Sequence, residues 1–268
     1  MSVCSKPHKN SLRPPMAQTS RARLDLKFQI SGVRAASYMI AAICFDFNGI
    51  IIDDEPLQLK AAQEVLKPEG VALTEAVYYE ALGMDDVTFM RFVFKQAGRA
   101  PDEETLGRAV ERKLQRHREL IRDELPLFPG VVTFIKAAAR RYQLGVVSMS
   151  PRADIEHVLE RANLAAQFAV IVSAEDVRAC KPDPACYATA LARLNEQRRA
   201  QRQRALAPAQ CLVIEDAPPG IESARAVGMR TLGVTNTVSE AQLRAAGADV
   251  VTPRLSDWTT DAVHHVFE

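Results

Sequence analysis

The sequence predicts an α/β protein built on a doubly wound parallel sheet, and three observations lead to that prediction. Short apolar runs of the kind that form buried parallel strands recur along the chain. Helical segments lie between them, and this alternation favours a parallel sheet covered by helices on both faces. Polar residues follow several of the runs, at the carboxyl ends of strands where such folds bind their ligands.

The first predicted strand lies in MIAAICFDF, which begins at Met39, and it ends at Asp46. Five further strands are predicted in LGVVSM, AVIVSA, CLVIED, RTLGVT and ADVVT, which begin at Leu144, Ala169, Cys211, Arg230 and Ala248. Helices are predicted over Val131–Arg141, Ala153–Ala162, Pro184–Asn195, Pro218–Val227 and Ser239–Ala246.

One stretch breaks the alternation. Residues 56–124 contain only helical periodicity, so we expect a helical cap inserted into an α/β core made of residues 39–55 and 125–268. Residues 1–38 differ again, since basic side chains greatly outnumber the single acidic one, Asp25. We expect either a disordered basic extension there or translation from a start upstream of the natural one at Met39.

Composition excludes some classes of partner. Lys and Arg number 34 and Asp and Glu number 33, so the net charge gives no reason to expect nucleic acid or an anionic membrane surface. No apolar run approaches the roughly 20 residues that span a bilayer. The five cysteines contain no C-x-x-C pair, which argues against a disulfide framework or a zinc site and favours a cytoplasmic protein.

Two segments indicate a phosphate pocket. In FDFNGIIIDDEP a strand ends at Asp46, and Gly49 permits a tight turn close to a bound phosphate. In GVVSMSPR a strand is followed by Ser148, Ser150 and the start of a helix, where hydroxyls and free backbone N–H groups bind anions. Taken alone, an aspartate at a strand end such as Asp46 is more often a helix or turn cap than a nucleophile, and Ser150 is equally well explained as a helix N-cap.

Two further segments supply charge. Lys181 in CKPDP is a natural counter-charge for a carboxylate nucleophile and a transferring phosphoryl group, although most lysines only solvate a surface. Glu215 and Asp216 end the strand in LVIEDAPPG, and two adjacent acids there repel each other unless a cation or hydrogen bonds offset the repulsion. Mg²⁺ prefers oxygen ligands and suits such a place.

The four segments together resemble the motifs of the haloacid dehalogenase superfamily, in the same order and strand context, from Met39 to about Asp249. The helical insert after the first motif is similar to that of β-phosphoglucomutase-like and sugar-phosphate phosphatase-like enzymes. The resemblance implies Mg²⁺ and a small phosphorylated substrate, which Asp46 attacks to form an aspartyl-phosphate. The implied catalytic residues are Asp46, Asn48, Ser148 and Lys181; the substrate-binding residues are Gly49, Ser150, Arg152 and Lys113; the metal ligands are Asp46, the Asn48 carbonyl, Glu215 and Asp216.

The sequence departs from the family pattern at Asn48, where phosphatases carry an aspartate that acts as general acid and then base. An amide cannot deliver a proton at neutral pH. Three explanations compete. In the first, a nearby acid (Asp53, Asp54 or Glu55) takes the place of the missing aspartate. In the second, the substrate carries a good leaving group such as an acyl phosphate, and in the third the protein binds a phospho-ligand with little turnover.

A β-phosphoglucomutase-like phosphomutase is a further alternative, although Asn48 disfavours it because that reaction needs the acid–base twice. A dehalogenase is disfavoured because Glu215, Asp216 and Lys181 fit a metal-dependent pattern. Candidate residues facing the cleft are Gly83, Met84, Asp85 and Asp86 in the insert and the basic run Arg112, Lys113 and Arg116, which is better explained as a solvated helix face. We expect a monomer or a homodimer.

Overall fold

The computed structural model describes residues 39–267, so the predictions made for residues 1–38 lie outside the described residues. Six parallel strands form one sheet in the order β3-β2-β1-β4-β5-β6. In chain order they are β1 (Ala42–Phe45), β2 (Gln143–Val147), β3 (Val170–Val172), β4 (Cys211–Glu215), β5 (Arg230–Val234) and β6 (Val250–Thr252). This sheet confirms the predicted parallel α/β fold, and the chain reverses its direction of travel across the sheet at β1.

Four consecutive helices follow β1 before the chain returns to the sheet, namely α1 (Glu55–Leu66), α2 (Glu75–Glu80), α3 (Asp86–Gln96) and α4 (Glu103–Leu120). We call them the helical insert. The helices that accompany the sheet are α5 (Val131–Ala138), α6 (Arg152–Arg161), α7 (Ala185–Ala200), α8 (Pro218–Val227), α9 (Glu240–Ala245) and α10 (Thr260–Phe267). Within residues 39–267, no helix combines the length and the apolar character needed to cross a membrane.

Both faces of the sheet are buried, as the alternation along β1 demonstrates. Ile43 and Phe45 point into one apolar cluster, which α5, α6 and α10 complete. Ala42 and Cys44 point into a second cluster, which contains residues of α7 and α8. Successive side chains of a strand face opposite sides of a sheet, so β1 contributes to both clusters and is apolar throughout.

The helical insert has an apolar cluster of its own, formed by side chains of α1 to α4 such as Leu66, Met90 and Leu106. Its spacing of buried residues agrees with the helical periodicity of the sequence. Asp85 and Asp102 cap α3 and α4 by accepting hydrogen bonds from backbone N–H groups of the first turn. The insert is thus a set of amphipathic helices that pack on one another.

The chain leaves the sheet and returns to it along two adjacent segments. Ile52 forms an antiparallel bridge with Leu127, and the Asp53 N–H donates to the Pro126 carbonyl at 2.6 Å. The Phe128 N–H donates to the Ile51 carbonyl at 3.3 Å. These hydrogen bonds join the beginning and the end of the insert at one hinge, directly after the turn that carries Asp46.

Candidate active site

The three central strands bring distant parts of the sequence together. β1 lies between β2 and β4, and Phe45 is level with Val146 on one side and Ile214 on the other. The residues that follow these strands therefore meet at one edge of the sheet, at the point where the strand order reverses. Asp46, Ser148 and Asp216 all line one cavity there.

Three carboxylates lie close together in this cavity. Oxygen atoms of Asp46, Glu215 and Asp216 all lie within 4.8 Å of one another. Burial, reinforced by the charge of Asp46, raises the pKa of Glu215 to about 7, and burial with the charges of Asp46 and Glu215 raises the pKa of Asp216 well above its usual value. Glu215 Oε2 is buried and has no hydrogen-bond partner among the described residues. This set of hard oxygen donors fits a divalent cation such as Mg²⁺.

Lys181 supplies a positive charge on the other side of the carboxylates. Its Nζ lies 2.8 Å from Asp46 Oδ1 and 2.6 Å from Glu215 Oε1, and it also donates to the Val147 carbonyl at 3.3 Å. Burial alone would lower the pKa of Lys181, but the Asp46 and Glu215 carboxylates raise it above its usual value. Tyr187 donates a hydrogen bond to Glu215 Oε1 at 2.6 Å and helps to fix it. The lysine is therefore a permanent cation at Asp46.

The loop after β2 provides hydroxyl groups. Ser148 is 1% exposed, and its Oγ accepts a hydrogen bond from the Ser150 N–H at 3.0 Å. Ser150 Oγ donates to Asn48 Oδ1 at 2.6 Å. Both serines line the cavity together with Asp46. Their arrangement fits the predicted phosphate pocket.

Asn48 is held by a buried acid. Its Nδ2 donates to both oxygens of Asp54, each at 3.0 Å. Gln58 Nε2 donates to Asp54 Oδ2 at 2.9 Å, and His117 Nε2 of α4 lies 2.8 Å from the same oxygen. Asp54 is fully buried, so its carboxylate depends on these neighbours for compensation. The amide at position 48 is therefore matched to an acid at position 54.

Gly49, predicted to bind substrate, lies beside Asp216 and does not line the cavity. Its φ is +74°, and a Cβ at this position would lie 1.8 Å from Asp216 Oδ2. Its carbonyl accepts a hydrogen bond from Asn236 Nδ2 at 2.7 Å, and Thr237 donates to Asp216 Oδ2. Sequence reasoning missed Asn236 and Thr237, although they follow β5 and so occupy the same polar edge as the other site residues.

The helical insert forms the opposite wall of the cavity. Glu55 and Tyr78 face it, and Tyr78 donates a hydrogen bond to Glu55 Oε2. Burial, together with the charge of Asp54, raises the pKa of Glu55 to about 7. Lys113 also lines the cavity, but its Nζ is paired with Asp86 Oδ1 at 2.5 Å. Gln58, Gly83, Met84 and Phe89 also line this wall.

The insert also contacts the loop that carries Lys181. The Asp85 N–H donates to Cys180 Sγ at 3.4 Å, and Cys180 Sγ donates to Asp85 Oδ2 at 2.9 Å. Asp85 therefore caps α3 and joins the insert to the loop after β3, without lining the cavity.

The arginines named from the sequence lie elsewhere. The structure does not bring Arg152 to the cavity: its guanidinium pairs with Asp176 at 2.5 Å and with Glu156 at 3.5 Å, and it donates to the Ile171 carbonyl. Arg112 and Arg116 of α4 lie near Glu69 and Glu64, which agrees with a solvated helix face. Of the basic run, Lys113 alone lines the cavity.

Comparisons with known proteins identify a family and several similar chains. Residues 43–234 match the family model described as haloacid dehalogenase-like hydrolase. The chain is 27% identical, over 79% of its length and 94% of the relative's, to a phosphorylated carbohydrates phosphatase of Thermotoga maritima. It is 28% identical to hexitol phosphatase B of Escherichia coli, over 82% of its length and 95% of the relative's.

Among solved structures, the fold is similar to that of a β-phosphoglucomutase from Clostridium difficile. The TM-score is 0.75 and the identity 20%, over 85% of this chain and 97% of that one, so the likeness concerns the fold alone. The family match covers more than half of the chain and confirms the resemblance seen in its motifs. The chain therefore belongs to the haloacid dehalogenase-like hydrolases.

Proposed function

We propose that the protein is a Mg²⁺-dependent phosphatase that hydrolyses a small phosphorylated metabolite through an aspartyl-phosphate on Asp46. The observation that carries this proposal is the position of Asp46, which shares one cavity with Lys181, Ser148 and the acidic pair Glu215 and Asp216. The names of the phosphatase relatives support the same reaction class. We further propose a cytoplasmic location, which the free thiols of the described cysteines favour.

The metal would be held by the carboxylates of Asp46, Glu215 and Asp216, with the backbone carbonyl of Asn48 as a further ligand. The unpartnered Glu215 Oε2 and the raised pKa of both acids after β4 support this assignment, because these groups lack sufficient positive charge in the protein alone. When bound, Mg²⁺ would polarise the phosphoryl oxygens and stabilise the charge that develops on them.

The chain's own residues then carry out two displacements. A carboxylate oxygen of Asp46 attacks phosphorus, and the bond from phosphorus to the leaving oxygen breaks. Lys181 and the hydroxyl of Ser148 hold the transferring phosphoryl group, and these fixed hydrogen-bond donors stabilise its negative charge. Water subsequently attacks phosphorus, which releases inorganic phosphate and restores the Asp46 carboxylate.

The insert side of the cavity favours a hydroxylated leaving group over a second phosphate. It presents polar side chains, namely Glu55, Gln58 and Tyr78, but its lysine, Lys113, is already paired with Asp86 at 2.5 Å. A bisphosphate would need a cation that is available to its second anionic group. We therefore propose a sugar or polyol monophosphate, a class close to the substrates named for the relatives.

A phospho-ligand-binding module is the second candidate, and the state of Asn48 is the observation that favours it. Both polar atoms of its side chain are engaged, by Asp54 and by Ser150, and neither group of the amide can donate a proton to a leaving oxygen. Binding without turnover would follow if no other residue supplied that proton.

Phosphate release from a panel of sugar phosphates, polyol phosphates, sugar bisphosphates and acetyl phosphate tests both candidates. We expect Mg²⁺-dependent release from one or more monophosphates. Asp46→Asn should lower it by about 10³-fold or more. Asp53→Asn is the matched control, because Asp53 is exposed at the hinge and does not line the cavity, and it should retain activity.

A phosphorylated Asp46 peptide, recovered by mass spectrometry after an acid quench, would support the covalent route. Tight binding of a phosphorylated ligand with no release from the wild-type protein would favour the binding module instead. Undiminished activity in Asp46→Asn would contradict the site assignment as a whole.

A further inference from the structure

The reaction proposed above needs a proton donor at the leaving oxygen, and Asn48 cannot be that donor. Three acids follow it at the hinge, and the structure distinguishes them by position. Asp53 is exposed and does not line the cavity. Asp54 is fully buried and does not line the cavity, and its oxygens are engaged by Asn48 and Gln58. Of the three, Glu55 alone faces the substrate cavity.

The surroundings of Glu55 orient one of its oxygens. It is the first residue of α1, so the hinge turn that follows Asn48 delivers its side chain to the insert side of the cavity. Tyr78 of α2 donates to Oε2. Among residues 39–267, no group forms a hydrogen bond with the other oxygen, Oε1. The tyrosine thus holds one oxygen while the other is available to a ligand.

We propose that Glu55 is the catalytic acid and base of this protein, in place of the residue at position 48. This inference rests on the proposed function, since it assigns a role within that reaction. The Glu55 carboxyl would lie on the insert side of the substrate, opposite the Asp46 side of phosphorus, where the leaving group departs.

The proton transfers balance over one turnover. Protonated Glu55 gives its proton to the leaving oxygen while the phosphorus–oxygen bond breaks, and a neutral alcohol departs. The resulting carboxylate accepts a proton from the water molecule that attacks the aspartyl-phosphate. Inorganic phosphate leaves, Asp46 is a carboxylate again and Glu55 is protonated for the next substrate.

The charges around Glu55 suit an acid that works at neutral pH. Burial and the negative charges of Asp54 and Asp46 raise its pKa, while the hydroxyl of Tyr78 and the charge of Lys113 lower it, and the result is about 7. Asp216, Asp86 and Tyr79 are the other titratable groups around the Glu55–Tyr78 pair. A general acid is most effective when its pKa lies near the working pH.

The test compares wild type, Glu55→Gln and the control Glu80→Gln, which changes an exposed glutamate on the same helix as Tyr78. The substrates are phenyl phosphate and 4-nitrophenyl phosphate, which share their shape near phosphorus and differ in how much protonation the leaving oxygen needs. The value measured is kcat/KM, which reports on the step that forms the aspartyl-phosphate. We expect Glu55→Gln to lower it about 10²–10³-fold for phenyl phosphate but about threefold or less for 4-nitrophenyl phosphate.

The pH dependence with the best sugar phosphate gives a second readout. Because the acid must be protonated, kcat/KM of the wild type should fall as the pH rises through about 7, the pKa of Glu55. Glu55→Gln should lose this limb. Tyr78→Phe should move it to higher pH, since removal of the donor at Oε2 raises the pKa of Glu55.

Equal losses for the two aryl phosphates in Glu55→Gln, or an unchanged limb near pH 7, would overturn the assignment of Glu55 and leave the phosphatase proposal intact. Absence of wild-type turnover on every substrate would overturn both. Thermal denaturation of each variant checks that it is folded, and Tyr78→Phe provides an independent readout if Glu55→Gln is unstable.

Discussion

The side-chain amide of Asn48 donates hydrogen bonds to both carboxylate oxygens of Asp54, each at 3.0 Å, and so provides hydrogen-bond donors to a fully buried acid. The usual family aspartate at position 48 would meet a second carboxylate at that distance. The residue types at positions 48 and 54 are thus coupled, because an amide at position 48 can donate to Asp54 and a carboxylate there would repel it. The amide at position 48 therefore has a structural role at the hinge, where it stabilises the buried Asp54 carboxylate.

Asn48→Asp should therefore destabilise the protein when it is made alone. It replaces two hydrogen bonds by repulsion between the new, partly exposed carboxyl group and the buried one of Asp54, and we expect a loss of about 1–3 kcal/mol in the free energy of unfolding. Asn48→Asp combined with Asp54→Asn exchanges the partners and should recover most of the loss. Urea denaturation of the two single variants and the double variant measures this coupling, and additive effects of the two substitutions would contradict it.

Gly49→Ala and Gly98→Ala form a matched pair. Both glycines have positive φ, +74° and +69°, so each alanine should lower stability by about 1–2 kcal/mol from backbone strain alone. A Cβ at Gly98 meets nothing within 4 Å, whereas one at Gly49 would overlap Asp216. We expect only Gly49→Ala to lose phosphatase activity and the response to Mg²⁺. Equal activity of the two variants would show that Gly49 has no role at the metal side of the site.

Mg²⁺ should stabilise the wild-type protein in thermal denaturation, because it would offset the repulsion among Asp46, Glu215 and Asp216. At a concentration of 100 times the Kd the gain is about 2.7 kcal/mol. Asp216→Asn removes one charge, so the metal-free variant should be more stable than the metal-free wild type and should respond less to Mg²⁺. An identical shift in both proteins would place the cation elsewhere.

Stability of the metal-free protein should depend on pH through Glu55. Its pKa is raised from 4.5 to about 7 in the folded state, so the folded protein retains a proton that the unfolded chain has released. The stabilising contribution is complete below about pH 4.5 and is lost as the pH rises to about 7. Since Glu55 is partly exposed, we expect a loss of about 1–2 kcal/mol over this window.

Glu55→Gln should reduce the slope of that part of the stability profile, measured by urea denaturation in the presence of a chelator, while Glu215 and Asp216, whose pKa values are also raised, keep part of the slope. Glu80→Gln should follow the wild type. A profile for Glu55→Gln that is parallel to the wild-type profile would contradict the raised pKa of this carboxyl.

Arg152→Ala should leave kcat and KM within about twofold of the wild type, as expected for a half-buried residue whose partners all lie outside the cavity. Ser150→Ala is the contrasting variant, because Ser150 lines the cavity and donates to Asn48. A large increase in KM for Arg152→Ala would restore the substrate-binding role that its sequence position had indicated.

The fold was largely predictable because the buried strands are short apolar runs, and the helix Pro218–Val227 matches its predicted bounds. The helix predicted over Val131–Arg141 ends earlier, at Ala138, and the helix predicted to end at Asn195 continues to Ala200. Helix α10 was not predicted, although Val263 and Phe267 pack into the main apolar cluster. Short terminal helices acquire their stability from such contacts more than from their own sequence.

The site was predictable where it depends on the sheet and not where it depends on the insert. Asp46, Ser148 and Asp216 follow neighbouring parallel strands, so their proximity follows from strand order. The contacts of Asp54 with His117, and of Glu55 with Tyr78, join residues through the packing of amphipathic helices. Helical periodicity indicates which face is buried but not which residue it meets on another element.

The bridge between Ile52 and Leu127 has a consequence for how this architecture can diversify. Paired strands lie about 5 Å apart, so any segment whose two ends are that close can be attached at the hinge without disturbing the sheet. Chimaeras in which the whole insert is exchanged at this hinge can therefore arise by genetic recombination and can also be designed. Such an exchange would replace Glu55, Tyr78 and Lys113 together and leave Asp46, Lys181 and the acidic pair untouched. Under the proposed function, it would change the groups that meet the leaving group and keep those that hold the phosphate.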